Sequence, residues 1–342
     1  MELYNINLQL FANTVQTTLL SGLSPEMKTF YDMTLIDEAS AQLVHDQFGQ
    51  KRPIPANGGK TIEFRKFASL PKATTALTEG VTPDGKSLTV TSITATVSQY
   101  GDYITQSDVL ELTSLDNTII EATKLLGKQA GATLDTIVRN VLVAGNNVTY
   151  CPKIGTGGAE TAVTSRSGLD TTAKLTVKTV QKVVAKLRGQ NAPTINGKYV
   201  AIIHPYVAYD LMRDPEWIDA HKYANPTNLY EGEIGEIAGV RFVQTTEAKV
   251  WNDSTCPANG NSAYHSVFAT LFLGDGAYGV TEISGGGLQT IVKQKGSAGT
   301  ADPLDQRSSV GWKAIKTAEL LVPNYLVRVE SCSPDFDTTA AN

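Results

Sequence analysis

The sequence predicts an α+β fold, and three segments carry that expectation. Residues 116–144 hold apolar side chains at helical spacing over an unusual length. Residues 57–106 read as two β segments joined by a turn-rich tip. Residues 175–273 switch between helical and strand patterns, in the manner of a mixed lobe. At 342 residues the chain suits two lobes better than one simple core.

Residues 1–24 are polar and rich in Asn, Gln and Thr, too poor in apolar surface to fold alone, and read as a loose arm. A helix is expected next. Ser24 can cap it, Pro25 suits its first position and Glu26 favours the positive end of the helix dipole. Phe30, Met33, Leu35, Ile36, Ala39, Leu43 and Val44 supply its apolar stripe, and Gly49, Pro53 and Pro55 end it. Lys60 to Phe67 alternates as a strand, with Ile62, Phe64 and Lys66 on one side. Leu70 to Lys86 is the tip, and Ser87 to Thr105 is a second β segment. Alternation fails at Thr91-Ser92, which suggests a bulge or a change of face. An isolated hairpin of this kind is marginal in water, so it needs a partner surface.

The helix at 116–144 carries Ile119, Ile120, Thr123, Leu126, Ala130, Leu134, Ile137, Val138, Val141 and Leu142. It would be on the order of 40 Å long, with Gly145, Asn146 and Asn147 stopping it. Residues 151–173 are rich in Gly, Thr and Ser and read as a loop. A helix is expected from Thr176 to Arg188, a strand from Lys198 to Ile203, and a helix opened by Pro205 and running through Met212. Val240 to Gln244 and Val267 to Leu273 read as strands. Segments 284–287 and 296–299 read as turns. Two closing strands, Ser308 to Lys316 and Ala318 to Val329, are expected, the second bent at Pro323. The tail 331–342 is expected to fray.

Composition excludes several classes. With 41% hydrophobic and 18% charged residues, wholesale disorder is ruled out. A net charge of -5 lacks the global signature of a nucleic-acid binder, although a local basic patch remains open. No apolar run reaches the ~20 residues of a membrane span. Met1 to Ala12 lacks the pattern of a signal peptide, so the protein is expected to be made and used inside a cell. Cys151, Cys256 and Cys332 are odd in number and widely spaced. They read as free thiols of a reducing compartment, not as a zinc site or disulfide framework.

Chemistry-bearing motifs are scarce. The four histidines, His45, His204, His221 and His265, show no metal-ligand spacing. His204, before Pro205, could be a base at a strand end. A turn residue bonding nearby backbone is the favoured reading. Gly155-Thr156-Gly157-Gly158 lacks the Lys-Ser/Thr of a phosphate loop, and no Gly-x-Ser-x-Gly occurs. Asp210, Asp214, Glu216 and Asp219 cluster without calcium-loop order, and an acidic solvated or partner-facing surface is the simpler reading.

Charge placement is more informative. Residues 51–72 hold Lys51, Arg52, Lys60, Arg65, Lys66 and Lys72 against Glu63 alone. Residues 205–236 hold Asp210, Asp214, Glu216, Asp219, Glu231, Glu233 and Glu236 against Arg213 and Lys222. The basic segment of one copy could lie on the acidic surface of another, where complementary charge would set register. Two unrelated solvated surfaces would give the same pattern.

Three motifs carry a family resemblance. Asn7-Leu8-Gln9-Leu10-Phe11-Ala12 resembles the opening of coat proteins from phages of Gram-positive hosts. The stretch from Tyr230 to Glu247, with its Gly239-Val240-Arg241-Phe242 turn-to-strand passage and its Thr246-Glu247, resembles a family pattern. So does Asp302-Pro303-Leu304-Asp305-Gln306-Arg307 followed by Val310-Gly311-Trp312-Lys313. The chain thus resembles the major capsid proteins of tailed bacteriophages, with the Hong Kong phage-type coat fold shared by encapsulins and herpesvirus capsid floors.

The resemblance implies a division into an N-terminal arm and helix (1–56), an extended β loop (57–106), a peripheral domain with a spine helix (107–174), an axial domain (175–290), returning C-terminal strands (291–330) and a flexible tail (331–342). It implies a non-enzymatic subunit, without cofactor, metal or membrane, that forms hexamers and pentamers. These would build an icosahedral head around double-stranded DNA, bound without sequence specificity. Portal and scaffolding proteins would be partners, and assembly would take place in the host cytoplasm. An encapsulin-like compartment shell is the rival within the fold. An α/β enzyme and a surface adhesion protein are rivals outside it.

Overall fold

Two runs, Tyr199–Ile203 and Val267–Leu273, apolar except for Thr270, are buried at every position and form the strands around which the core is built. The structure is a computed structural model that describes residues 33–39, 43–55, 57, 59–67, 70–82, 84–113, 118–222, 235–259, 264–282, 287–297, 302–337 and 339–342. In chain order the first elements are α1 (33–39), β1 (Gln50–Lys51), β2 (Thr61–Phe67), β3 (Val90–Thr96), β4 (Ser98–Ser107), α2 (Asp108–Thr113) and α3 (Thr118–Val143). Next come β5 (Val148–Tyr150), β6 (Lys153–Ile154), β7 (Glu160–Thr161), α4 (Val177–Gly189), β8 (Tyr199–Ile203), α5 (Pro205–Met212) and α6 (Pro215–Lys222). The rest are β9 (Glu236–Ile237), β10 (Val240–Gln244), β11 (Val250–Trp251), β12 (Val267–Leu273), β13 (Tyr278–Glu282), β14 (Gln289–Lys293), β15 (Arg307–Leu320) and β16 (Leu326–Cys332). The described residues fall into two compact units. One lies within 1–40, 100–130 and 288–314, and the other within 41–99, 131–287 and 315–342.

The larger unit holds a mixed sheet of order β5-β16-β12-β8-β10-β9, with β11 also on β12. β12 runs antiparallel to both β16 and β8, while β8 and β10 are parallel. Side chains alternate across this sheet. Ala201, Ile203, Phe268 and Phe272 face one cluster with Val180, Val183, Val184 and Leu187 of α4, Leu211 of α5 and Trp217 of α6. Ile202, Leu271 and Leu273 face the other, with Val138 and Leu142 of α3 and Tyr278 and Val280 of β13. Burial on both faces explains why these strands read as nearly continuous apolar runs and not as alternating ones. The helices have ordinary local causes. Thr176 caps α4 by accepting from the Thr179 N–H, and Pro205 occupies the first turn of α5.

In the smaller unit α1 packs on the first half of α3. A Cβ at Gly127 would stand 2.9 Å from the Leu35 carbonyl oxygen, so the glycine that weakens the helical pattern permits close approach. β14 pairs antiparallel with the first half of β15, Ile291 opposite Gly311. Gln129 links two elements there, donating to Asp102 at 2.7 Å and accepting from the Trp312 indole N–H at 3.3 Å.

Several expectations are revised. The expected helix from Ser24 falls largely outside the described residues, and where visible it covers only 33–39. Leu43 and Val44 are not helical, because the Asp135 carboxylate accepts the Val44 and His45 N–H groups at 2.9 and 2.7 Å and replaces helical partners. The break in the second β segment falls at Val97, whose N–H bonds the Lys60 carbonyl, and not at Thr91-Ser92. The two closing strands divide elsewhere. Lys316 and Ala318 lie within one strand, β15, and the chain bends in a short 3-10 turn at Pro323–Tyr325. Residues 331–342 do not simply fray. β16 runs to Cys332, Phe336 stacks on Tyr206 at 4.0 Å, and the Val250 N–H donates to the Asn342 side chain. Helices α2 and α6 and strands β13 and β14 were not expected at all.

Cys151, Cys256 and Cys332 are free and at most 3% exposed, and burial pushes all three thiols up, Cys332 to about 12. The thiolate is the nucleophile, so none should react with an aromatic disulfide reagent in the native protein, and all three should react in denaturant. His204 caps α5 by accepting the Tyr206 N–H on Nδ1, and burial depresses its pKa to about 4. Between pH 6.5 and 4 the unfolded imidazole binds a proton that the folded one does not, so stability falls as pH falls through that window. The loss should approach about 3 kcal/mol in urea titrations and should shrink in His204→Asn.

Candidate assembly surfaces

The β2–β3 hairpin is attached to its unit by very little. Its strands pair from Thr61 opposite Thr96 to Phe67 opposite Val90. Among its described residues only the root is buried. Phe64 and Ala95 pack with Leu321, supported by Ile62, Ile93 and Val322. Phe64 is 3% exposed because Gly279 of β13 leaves room for its ring. A Cβ at Gly279 would lie 2.8 Å from it. The Arg52 guanidinium sits 5.8 Å from the same ring, and the Arg52 N–H donates to Val280.

Beyond that root the hairpin shows apolar side chains to solvent. Phe67, Leu70, Leu77, Val81, Leu88 and Val90 are all exposed, Leu77 by 78%. Large apolar groups clustered along one exposed segment mark an interaction site more often than isolated ones do. Lys60, Arg65, Lys66 and Lys72 are exposed on the same segment, with Arg65 3.8 Å from Glu63. Lys51 is exposed on β1 and lies 3.7 Å from Asp46, an acid that also holds Lys316 at 2.8 Å. The basic side chains singled out in the sequence therefore share one exposed region, interleaved with apolar ones.

The acidic set separates into two kinds. Asp210 is 5% exposed, and burial raises its carboxyl above the ordinary range. It has no surface to offer a neighbour, which corrects its place among the contact candidates. Asp214 is occupied by its own chain. It accepts the Val177 N–H at 2.9 Å and the Glu216 N–H at 3.1 Å, and so holds the starts of α4 and α6. Glu216 and Asp219 are exposed on α6. Glu231 and Glu233 lie outside the described residues. Glu236 pairs with Lys198.

One charged cluster escaped sequence reasoning. The Glu330 carboxylate, fully buried on β16, accepts from Arg166 at 2.7 and 2.8 Å and lies 2.9 Å from Arg328 Nε. The Arg166 guanidinium also stacks 3.7 Å over Trp251. This arrangement ties the 151–176 segment to the sheet. Its sequence signal is an Arg and a Glu two apart in a mostly apolar strand, which places both on one face. Among the described residues no group of three or more His, Cys, Asp or Glu is placed to hold a metal ion, and no helix is long and apolar enough to cross a membrane.

Comparison with known proteins gives this surface a context. A family model described as phage capsid protein matches residues 108–298, more than half of the chain. The chain belongs to the phage capsid protein family. No curated protein matches it. The fold is similar to solved phage capsids. The capsid of cyanophage P-SCSP1u matches with a TM-score of 0.64 and 14% identity over 85% of this chain and 88% of that one. The capsid of Ralstonia phage GP4 matches with 0.62 and 12% identity, over 87% and 90%. The capsid of cyanophage Pam1 matches with 0.60 and 12% identity, over 97% and 99%.

The α+β architecture is that of tailed-phage capsid proteins, as the sequence resemblance implied. This capsid protein is a structural component of a multimeric virion shell. The family match begins at the first residue of α2 and leaves the β2–β3 hairpin outside it. The root and the exposed face of the hairpin should respond differently to truncation. Phe64→Ala should cost ~3–5 kcal/mol in urea unfolding, whereas Phe67→Ala should stay within about 0.5 kcal/mol.

Proposed function

We propose that this capsid protein is the repeating subunit of an icosahedral head, assembled through hexamers and pentamers around the double-stranded DNA genome of a tailed phage. The observation that carries the proposal is the β2–β3 hairpin, which buries Phe64 at its root and exposes six large apolar side chains beyond it. Surface of that kind gains free energy by meeting a second copy, at roughly 25 cal/mol per Å² of apolar area removed from water. Segment 1–56 serves as the N-terminal arm, 57–106 as the extended loop over the neighbouring subunit, 107–174 as the peripheral domain and 175–290 as the axial domain. Residues 291–330 return to the peripheral domain. Portal and scaffolding proteins are the assembly partners, the host cytoplasm is the site of assembly, and the role involves no catalysis.

The charge pattern supports a register for the contact. Lys51, Arg52, Lys60, Arg65, Lys66 and Lys72 of one copy face Glu216, Asp219, Glu231 and Glu233 of the next. Complementary charges select the partner and speed encounter more than they add affinity. Electron microscopy of the protein expressed with its neighbouring genes should show shells containing DNA. Particles filled with protein cargo would favour an encapsulin-like compartment, and persistent monomers would overturn both readings. Lys66→Glu with Lys72→Glu should lower shell yield at least fivefold, and adding Glu216→Lys with Asp219→Lys should recover much of it. Because exposed charges are screened beyond ~8 Å at physiological ionic strength, the loss should be smaller in high salt.

A further inference from the structure

We propose that the cleft between α4 and the β5–β7 segment binds the phosphodiester backbone of nucleic acid, through phosphate charge and without reading base sequence. The inference rests on the shell reading above and assigns the surface that meets the enclosed genome.

The chain carries a net charge of -5, yet α4 contains Lys178, Lys182, Lys186 and Arg188 and no acidic residue. The three lysines recur every fourth position and so share one side of the helix. The opposite side, Val180, Val183, Val184 and Leu187, is locked into the core, which fixes the lysine side outward. A cleft of about 360 Å³ opens there, lined by Lys178 and Lys182 of α4, Thr149 and Tyr150 of β5, and Glu160 of β7.

The lysines are not equivalent. Lys178 pairs with Glu160 at 2.9 Å. Lys186, half-buried, donates to the Thr149 hydroxyl at 3.3 Å. Its ammonium is pushed below the ordinary range by burial and then by the positive charge of Lys182. Among the described residues no carboxylate forms an ion pair with Lys182 or Lys186. Lys182 and Lys186 thus lie one turn apart beside a cleft whose lining carboxylate, Glu160, is already paired with Lys178, and an anion between them would relieve their repulsion. Ammonium and hydroxyl donors suit phosphate oxygens, which position nucleic acid without specifying sequence.

The test is fluorescence anisotropy with the full chain and labelled 20-base-pair duplexes of two unrelated sequences, titrated between 50 and 200 mM salt. Both duplexes should bind equally. Lys182→Gln with Lys186→Gln should weaken binding about tenfold and flatten the slope of log K against log salt by about 2. Lys182→Gln alone, at an exposed position, should weaken it about threefold. Glu160→Gln, which removes the carboxylate facing the cleft, should tighten it two- to threefold. Unchanged affinity and slope in the lysine variants would overturn the assignment. So would binding of poly-glutamate as tightly as a duplex of equal charge. Shell formation is scored separately. Shells from both proteins with unaltered DNA binding would sink the cleft alone. Shells from neither would sink the capsid reading beneath it.

Discussion

The carboxylate of Asp135 is the constraint from which the hairpin surface is built. It sits fully buried on α3 and accepts from the Val44 and His45 backbone and from His45 Nδ1, the last at 2.6 Å. Three bonds to one carboxylate turn the chain out of helix and fix the His45 carbonyl, which accepts the Tyr278 hydroxyl. Tyr278 lies against Gly49, where even a Cβ would stand 2.5 Å from its ring. That contact seats β1 on β13, Gln50 opposite Gly279. Gly279 then admits Phe64, the anchor of the hairpin. A chain of close contacts thus runs from the middle of α3 to the root of the exposed segment. A buried carboxylate stripped of its partners is expensive, because it keeps its desolvation penalty, so the whole succession is strongly coupled to one side chain.

Legibility in the sequence followed length and periodicity. α3, α4, β8, β10 and β12 were readable because each is long, mostly apolar or, in β10, alternating in burial. The hairpin was readable from alternation in Lys60 to Phe67. What stayed hidden depends on contacts between distant residues. No local pattern in Leu43 to Phe48 says that an acid ninety positions later will claim its amides. β13 contains Gly279 and has little periodicity of its own, and its strand state comes from pairing with β1 and β15. α2 exposes Val109 and Leu112, so it lacks the buried stripe that a helical pattern requires.

The charged residues were legible as a set and illegible one by one. Composition picks out a basic segment and an acidic one. It cannot tell that Asp210 is buried, that Asp214 holds two helix starts, or that Glu216 and Asp219 remain exposed on α6. The same limit hid Glu330 with its two arginines. The four-residue spacing of Lys178, Lys182 and Lys186 on α4 takes its meaning from which side of the helix the core occupies.

The ends of the large sheet have a consequence for behaviour at high concentration. β5 has three residues and β9 two, so the sheet closes on stubs at both margins. Open strand edges are templates for indiscriminate pairing, and short ones offer few backbone bonds to a stray chain. A subunit of a multimeric shell meets such edges on its neighbours. Cropped margins discourage amyloid-like stacking and leave recognition to side chains, whose geometry can distinguish a correct neighbour from a wrong one.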